Sequence, residues 1–471
     1  MGDLLDRDAL DLSGMIERRE LSAEELMKAT LAQIGAWNPH VNAVVAQRDG
    51  DEMLAEARAA DNTPRKGWLH GIPMAVKDLA NVKGLVSSFG SPIFAGQVAE
   101  ADDIFVARMR AAGALILGKT NVPEFGLGSH TFNPVYGPTR NPYDVTRSAG
   151  GSSGGAAVAL ATRMLPIADG SDMMGSLRNP AGWCNVYGFR PTWGRVPFEP
   201  IGDSYLQTLA TNGPMGRSPA DIAALLQVQA GRDPRQPFGL DNEDFSAGLT
   251  TPVTGQRIAW LADWDGAYEM EPGILDLCEA ALDVYRDLGV TVDRVQAPFP
   301  AEKIWEAWQT LRWYAVACKF APLYAQDKTR AMLKPAAVWE IENGLPLSGM
   351  DVHRMSVIRS EWFRAAAELF TKYDAFAIPT AQVWPFDVDM VHPTQINDKD
   401  MDTYHRWMEV VIPASLLGLP ALSVPVGFGT NGLPMGMQLV GASRNDAGIL
   451  QLGQAYHAAT QWPSKMPPKL P

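Results

Sequence analysis

The chain is poor in cysteine, in positive charge and in long apolar runs. Its three cysteines, among 471 residues, are too few and too scattered for a disulfide scaffold or a CxxC metal site. The 40 Lys and Arg against 53 Asp and Glu give a net charge of −13, which has the wrong sign for attraction to nucleic acid or to an anionic membrane. No apolar run approaches the roughly 18 residues of a membrane span, and the charged first 20 residues lack the apolar stretch of a signal peptide. We therefore expect a cytoplasmic protein with no nucleic-acid or membrane partner.

Short apolar runs predict buried strands. Residues 71–77 and 114–117 form two such runs. Near the C-terminus, residues 421–426 and 435–440 flank Asn431-Gly432, a dipeptide typical of tight hairpin turns. Because strands alternate with helices and the late hairpin adds antiparallel pairing, the sequence predicts an α/β fold, an α/β/α sandwich around a mixed twisted β-sheet.

Capping signals predict where helices begin and end. Ser22 followed three residues later by Glu25 is typical of a capping box, and Asn38-Pro39 is expected to end the helix that follows it. Near the end of the chain, a helix over 447–459 is expected to have Asp446 as its N-cap.

Residues 113–120, Gly-Ala-Leu-Ile-Leu-Gly-Lys-Thr, match the nucleotide-binding pattern GxxxxGK[ST]. A P-loop needs small or polar residues between its glycines, so that successive N–H groups curl around phosphates. Here the intervening Ala-Leu-Ile-Leu favours a strand, and Pro123 disfavours the helix that should follow. We interpret the segment as a buried strand and not as a nucleotide site.

A glycine-serine loop at Gly150–Gly155 is the next candidate site. It matches the pattern GxSxG twice, centred on Ser152 or on Ser153. The pattern is typical either of a nucleophile elbow, which requires an acid and a histidine downstream, or of a plain turn. The histidines available for the first interpretation include His392, His405 and His457.

A second glycine-rich loop and one lysine also carry candidate chemistry. Residues 170–180 follow an apolar run directly and contain Gly170 and Gly175, which flank Ser171 and precede Ser176, and successive N–H groups in such a turn can form an oxyanion hole. The alternative is a strand-to-helix connection in which Asp172 and Arg178 form an ion pair. Lys77, at the end of its apolar run, is either an ordinary solvated lysine or a base whose pKa is lowered by desolvation.

Taken together, Lys77 and the two loops resemble, in order and spacing, the amidase signature family of serine hydrolases. Ser152 and Ser176 lie 24 residues apart, as that family's pattern requires. Further matching segments are 69–78, 118–121, 188–195, 418–425 and 431–441. The resemblance implies a single amidase domain over 1–471. It would have its signature core at about 65–200, a variable, helix-rich, substrate-side segment at about 200–360 and a sheet-completing part at about 370–471.

The resemblance implies a Ser–Ser–Lys triad that uses no metal and no cofactor. Ser176 would be the nucleophile, uncharged Lys77 the base, and Ser152, on a cis peptide bond with Gly151, the bridge between them. Backbone N–H groups would form the oxyanion hole, at Met173, Met174, Gly175 and Ser176. Supporting side chains would be those of Ser153, Asp172 and Arg178.

One residue departs from the family pattern, which usually has glycine where this chain has Met174. A side chain there excludes any backbone angle that only glycine reaches, and methionine is flexible and apolar. We therefore expect Met173 or Met174 either to pack beneath the loop or to shape an apolar pocket for the acyl or leaving group.

The expected activity is hydrolysis of a carboxylic amide or amide-like C–N bond in a small-molecule substrate, through an acyl-enzyme on Ser176. Anilides, small amides and aryl carbamates (urethanes) are the expected substrates, and an aromatic helix over 302–325 is expected either in the substrate funnel or in the core. Because the base must be a deprotonated amine, the rate should rise toward alkaline pH. The alternatives are a glutamine-hydrolysing subunit of a tRNA-dependent amidotransferase, a Ser-His-Asp esterase, and a catalytically silent binding protein.

Overall fold

The structure is a computed structural model that describes residues 2–470. Its α-helices are α1 (Gly2–Leu5), α2 (Ala9–Glu17), α3 (Ala23–Val41), α4 (Gly50–Asp61), α5 (Ile104–Ala111), α6 (Gly154–Ala161), α7 (Arg178–Trp183), α8 (Pro219–Gln229), α9 (Ile274–Asp287), α10 (Ala301–Tyr324), α11 (Asp327–Arg330), α12 (Pro335–Gly344), α13 (Gly349–Leu369), α14 (Ile412–Leu417), α15 (Asp446–Thr460) and α16 (Trp462–Lys465). None of these described helices combines the length and the apolar character that a membrane span requires.

The strands are β1 (Val44–Val45), β2 (Pro73–Lys77), β3 (Leu115–Thr120), β4 (Ala168–Asp172), β5 (Tyr187–Arg190), β6 (Thr211–Gly216), β7 (Arg257–Trp260), β8 (Thr291–Arg294), β9 (Ala375–Pro379), β10 (Gln395–Ile396), β11 (Lys399–Asp400), β12 (Ala421–Phe428) and β13 (Pro434–Gly441). Short 3-10 helices cover Pro92–Phe94, Glu124–Gly126 and Arg406–Val411.

An eight-stranded mixed sheet has the order β4-β6-β5-β12-β13-β9-β7-β8. Neighbours from β4 to β9 pair antiparallel, whereas β9, β7 and β8 are parallel. Strands β9 and β13 are buried at every position, which requires helices on both faces of the sheet. The predicted α/β architecture around a mixed sheet is confirmed, and the predicted hairpin of β12 and β13 is present with Asn431-Gly432 in its connection.

A smaller sheet has the order β1-β3-β2, in which β2 and β3 are parallel and Lys77 is paired with Thr120. The segment that matches the nucleotide-binding pattern forms β3, and Lys119 within it is fully buried. The interpretation of this segment as a strand is therefore confirmed.

Small residues allow α6 to lie inside the core. Every residue of Gly154–Ala161 is buried. A Cβ atom added at Gly155 would lie 2.3 Å from the backbone N of Asn121, just after β3, so glycine alone permits this approach. The approach places the serines that precede α6 beside the ends of β2 and β3.

The capping box that begins α3 is present, but the predicted end of this helix is wrong. Ser22 Oγ accepts the Glu25 N–H at 3.0 Å, whereas the helix continues through Pro39 to Val41. The lost hydrogen bond of Pro39 is tolerated because Val41 is buried and Asn42, with φ of 52°, closes the last turn onto the Asn38 carbonyl.

The predicted N-cap of α15 is also wrong by one residue, since Asn445 occupies the cap and Asp446 begins the helix. The carboxylate of Asp446 instead accepts the Thr192 N–H at 2.7 Å and pairs with Arg195 at 3.1 Å. Burial of Asp446 beside an arginine outweighs the local preference for a cap.

Candidate active site

Three chain segments bring the predicted site residues together at one end of α6. Lys77 is the last residue of β2, Ser152 and Ser153 directly precede α6, and Ser176 lies between β4 and α7. Strand β2 contacts β4, and α6 packs against both. The fold therefore holds a lysine and three serines, distant in sequence, in one buried region.

The side-chain amine of Lys77 is enclosed by uncharged polar groups. Its Nζ lies 2.8 Å from Ser152 Oγ, 2.7 Å from Ser153 Oγ and 3.1 Å from the carbonyl O of Ser171. Lys77 is 1% exposed. Ser153, predicted as a supporting residue, thus contacts the amine as closely as Ser152 does.

An uncharged amine accounts for these three contacts. The Ser171 carbonyl can only accept, so it takes one N–H of the amine. The other N–H then donates to one serine hydroxyl, and the lone pair of Nζ accepts a hydrogen bond from the other. Ser153 Oγ also lies 3.4 Å from the Ser171 carbonyl, to which it can donate its own proton. When the amine is uncharged, Ser152 is therefore the hydroxyl that can donate to Nζ, whereas the ammonium form would donate to Ser152.

The pKa of Lys77 is lowered to about 7, because burial disfavours the charged ammonium. The carboxylates of Asp169 and Asp172 oppose this shift without abolishing it. A large fraction of the amine is therefore uncharged near neutral pH, as a general base requires.

The loop that carries Ser152 is held by the segment 129–131. The peptide bond between Gly151 and Ser152 is cis, as the resemblance implied. Ser129 Oγ donates to the Gly151 carbonyl at 2.6 Å, and Thr131 Oγ1 donates to the Gly150 carbonyl at 2.8 Å. These contacts fix the backbone from which the Ser152 hydroxyl is directed at Lys77.

Ser176 lies in the turn after β4 and is 7% exposed. Its carbonyl accepts the Ser153 N–H at 3.2 Å, which ties the two serine loops together. Within residues 2–470 its hydroxyl makes no hydrogen bond, and none joins it to Ser152. The Ser176 hydroxyl is therefore not held by another side chain, and catalytic hydrogen bonds often form only when substrate is bound.

The carboxylate of Asp172 shapes the turn before Ser176. Its Oδ1 accepts the Gly175 N–H at 3.0 Å, and its Oδ2 accepts the Leu177 N–H at 3.2 Å. Gly175 has φ of +78°, and a Cβ atom there would lie 2.8 Å from Val411 Cγ2. Both the backbone angle and the neighbouring wall therefore require glycine at this position.

This bonding changes the expected oxyanion hole. The Gly175 N–H, expected to bind the oxyanion, already donates to Asp172. The N–H groups of Met173, Met174 and Ser176 make no hydrogen bond among the described residues. These three donors are therefore the ones that remain free for an oxyanion.

The two methionines of this turn have different surroundings. Met174 is 2% exposed, packs in the main core and adopts no left-handed backbone angle, so its side chain is accommodated without strain. Met173 is half-buried, and its Sδ accepts from Arg312 Nη1 at 3.4 Å. Because Arg312 lies on α10, the predicted aromatic helix contacts the turn through Met173.

Two guanidinium groups neutralise Asp172. Arg178 donates to both carboxylate oxygens at 3.0 Å, and Arg190 donates to Oδ1 at 3.2 Å. Burial alone would raise the pKa of Asp172, but the two arginines hold it well below its usual value. The predicted partner Arg178 is present. Arg190 was not predicted as a partner of Asp172, although a charged residue at the end of the apolar run 186–189 could have indicated a buried ion pair.

The histidines of the esterase alternative lie elsewhere. His457 is hydrogen-bonded to Tyr187, the ring of His405 lies 5.1 Å from that of Trp305, and His392 lies against the ring of Tyr404. Within the part of the chain that the structure describes, none of the three is hydrogen-bonded to a serine of the two loops. The described residues also include no group of three His, Cys, Asp or Glu side chains placed to hold a metal ion.

A buried lysine beside two serines, next to a turn with free N–H groups, is an arrangement suited to acyl transfer. The family model described as Amidase matches residues 25–450. The chain therefore belongs to the amidase family, the amidase signature hydrolases.

Known relatives span nearly the whole chain. An acylamidase of Rhodococcus erythropolis is 31% identical over 470 residues, covering 98% of this chain and 96% of its own. A glutamyl-tRNA(Gln) amidotransferase subunit from Methylococcus capsulatus is 34% identical over 490 residues, covering 97% and 98%. The crystal structure of a bacterial aryl acylamidase belonging to the amidase signature family superposes with a TM-score of 0.91 at 28% identity, covering 99% of each chain. The predicted family is confirmed.

The position of Lys77 predicts the pH dependence of catalysis. Since only the uncharged amine can accept a proton, kcat/KM should fall as the pH drops through about 7, and by about tenfold per unit well below it. A pH profile of kcat/KM on a small anilide checks this. An optimum near pH 5 would contradict it.

The ion pairs of Asp172 with Arg178 and Arg190 predict a large loss of stability when the Asp172 carboxylate is removed. Asp172→Asn leaves two buried guanidinium groups without their carboxylate, so the free energy of unfolding should fall by about 3–5 kcal/mol. Urea unfolding measures the change. Asp283→Asn, which breaks an exposed ion pair with Arg286, is the matched control and should change stability by less than about 1 kcal/mol.

Proposed function

We propose that the protein is a free-standing amidase that hydrolyses small aryl amides and carbamates through an acyl-enzyme on Ser176. The observation that carries the proposal is the buried Lys77 amine, 2.8 Å and 2.7 Å from two serine hydroxyls. An amine in that position activates a serine only if it is uncharged, and its burial favours the uncharged form.

In the proposed acylation, Ser176 Oγ attacks the substrate carbonyl and its proton passes through Ser152 to Lys77. The free N–H groups of the turn stabilise the oxyanion. Collapse of the tetrahedral intermediate breaks the C–N bond, and the proton returns from Lys77 through Ser152 to the leaving amine. Water then attacks the acyl-enzyme along the same path, releasing the acid and restoring the Ser176 hydroxyl.

Aromatic side chains lie close to the turn before Ser176, which supports an aryl substrate. We call Trp339, Tyr404 and His405, together with Arg312, the aromatic wall. Arg312 on α10 contacts Met173, and its Nη2 donates to the hydroxyl of Tyr404 at 2.7 Å. The ring of Tyr404 lies 5.9 Å from that of Trp339 and 4.7 Å from that of His405. Aromatic rings of a substrate pack favourably in such surroundings.

The charges of this wall favour an uncharged substrate. Arg312 Nε donates to Glu340 Oε1 at 2.6 Å, so its positive charge is already neutralised. Arg178 and Arg190 are likewise paired with Asp172. An anionic group such as the α-carboxylate of glutamine would need an unpaired cation, and none of these three arginines offers one.

The rival candidate is a glutamine-hydrolysing amidotransferase subunit, which the relative from Methylococcus capsulatus supports at 34% identity. The similarity to an acylamidase and to an aryl acylamidase structure supports the free-standing amidase. The two candidates differ in whether the chain acts alone.

The purified chain, without added partner, should hydrolyse anilides and aryl carbamates and leave glutamine unchanged. A panel of aliphatic amides, anilides, esters, aryl carbamates and glutamine tests this by product release. A fluorophosphonate should add one phosphonyl group, located to Ser176 by mass spectrometry. Ser176→Ala should lower kcat by at least about 10³-fold, because the nucleophile is lost.

Ser360→Ala is the matched control, since that serine lies exposed on α13 and its loss should leave kcat unchanged. Strict dependence on a partner, or preference for glutamine, would favour the rival. Full turnover by Ser176→Ala, or an adduct elsewhere, would contradict the proposal.

Replacing Met173 should change substrate specificity, whereas replacing Met174 should change stability. Met173→Ala removes the side chain between α10 and the turn, so the ratio of kcat/KM for anilides to that for aliphatic amides should change by about tenfold. Met174→Ala opens a cavity in the core and should lower the free energy of unfolding by about 2–5 kcal/mol with that ratio unchanged. Kinetics on the substrate panel and urea unfolding measure both. The reverse pattern would show that Met174 shapes the pocket.

A further inference from the structure

Asp169 is a buried carboxylate that the proposed mechanism does not use. It lies on β4, is 0% exposed, and accepts the backbone N–H of Lys77 at 3.2 Å on Oδ1 and 3.4 Å on Oδ2. Within residues 2–470, Asp169 takes part in no ion pair. A carboxylate away from water, with a single N–H donor, stays ionised only where nearby positive charge compensates it.

The buried charged groups connected to Asp169 form a chain of neighbours. Lys77 and Lys119 act on Asp169 directly. Asp78, just after β2, pairs with Lys119, and Asp172, which acts on Lys77, pairs with Arg178 and Arg190. Neither β6, which pairs with β4, nor α6 contains a charged residue, and the charged residues of α3 lie toward the surface. Beyond Lys119, the half-buried Asp103 precedes α5.

The buried charges of this cluster cancel when Lys77 is uncharged. The cations Lys119, Arg178 and Arg190 then face the carboxylates Asp78, Asp169 and Asp172, all 0% exposed. Asp78 pairs with Lys119 at 3.4 Å, and Asp172 is shared by the two arginines. One positive charge is left over from these pairs, and Asp169 is the carboxylate that balances it.

We propose that Asp169 is a positioning residue whose negative charge keeps the buried cluster neutral, so that the amine of Lys77 can take up the proton of Ser176. This inference rests on the proposed function. When the proton moves, Lys77 gains one positive charge and the oxyanion gains one negative charge, so the site remains neutral. Without Asp169, the amine would become protonated in a cluster that already carries an excess positive charge.

The pKa directions agree with this arrangement. Among the groups that oppose the lowering of the Lys77 pKa by burial, Asp169 comes first. Burial raises the pKa of Asp169 to about 6, against the effect of the Lys77 N–H and the two nearby lysines. Asp169 is therefore ionised in the pH range in which Lys77 is uncharged.

The test is the pH dependence of D169N, whose amide oxygen can still accept the Lys77 N–H. The rate of Ser176 phosphonylation by a fluorophosphonate reports the uncharged form of Lys77, and kcat/KM reports it independently. Loss of the negative charge should move the inflection to lower pH by about one unit or more. The plateau rate should fall by about tenfold, because a weaker base remains.

Two further variants separate charge from packing. D169L, a neutral replacement of similar shape, should give the same shift and decides the question if D169N does not fold. The variant D221N neutralises a different buried carboxylate, on α8, which accepts the backbone N–H groups of Ala9 at 2.9 Å and Leu10 at 3.0 Å. It is the matched control, and its inflection should stay at the wild-type pH.

An inflection that is unshifted or moves upward in the Asp169 variants, while wild-type Ser176 is phosphonylated, overturns this inference and leaves the proposed function intact. A shift of the same size in D221N also overturns it, because the loss of any buried carboxylate would then explain the effect. Failure of the wild-type protein to be phosphonylated at Ser176 overturns the proposed function, and this inference with it.

Discussion

The exclusion of water from the Lys77 amine is the constraint on which the other features of the site depend. An ordinary lysine is protonated at neutral pH and cannot accept a proton from a serine, whereas burial favours its uncharged form. The fold achieves this burial by ending β2 beneath α6, a helix whose small residues allow it to lie inside the core. The hydroxyl and carbonyl partners of the amine satisfy its hydrogen bonds without restoring its charge.

Asp172, the last residue of β4, meets the opposite requirement. Two guanidinium groups keep its carboxylate ionised although it is fully buried, and the ionised carboxylate then holds the N–H groups of Gly175 and Leu177. A buried charge with strong partners is rigid, so it serves to fix the shape of the turn. The site thus combines burial without a direct ion pair, which favours the uncharged amine of Lys77, and burial with two direct ion pairs, which keeps Asp172 charged and holds the turn.

Much of the site could be predicted from sequence, because its groups follow apolar runs that end in charged or glycine-rich segments, as at Lys77 and Ser176. The long-range partners of these groups could not be predicted from the sequence. Arg190 reaches Asp172 across the sheet, and Arg312 reaches Met173 from another part of the chain, and no local spacing encodes either contact. The same limit explains Pro39, where tertiary packing of α3 outweighs the local helix-ending preference of proline.

The groups of the site divide between two parts of the chain. Lys77, Ser152 and Ser176 lie at or beside the ends of β2, α6 and β4, which pack against one another. The aromatic wall comes from α10, α12 and the segment around Tyr404. The wall meets the turn through Met173, a flexible side chain and not part of the sheet. Under the proposed function, changes in α10 or α12 would therefore alter which substrate fits while the amine and the serines stay in place.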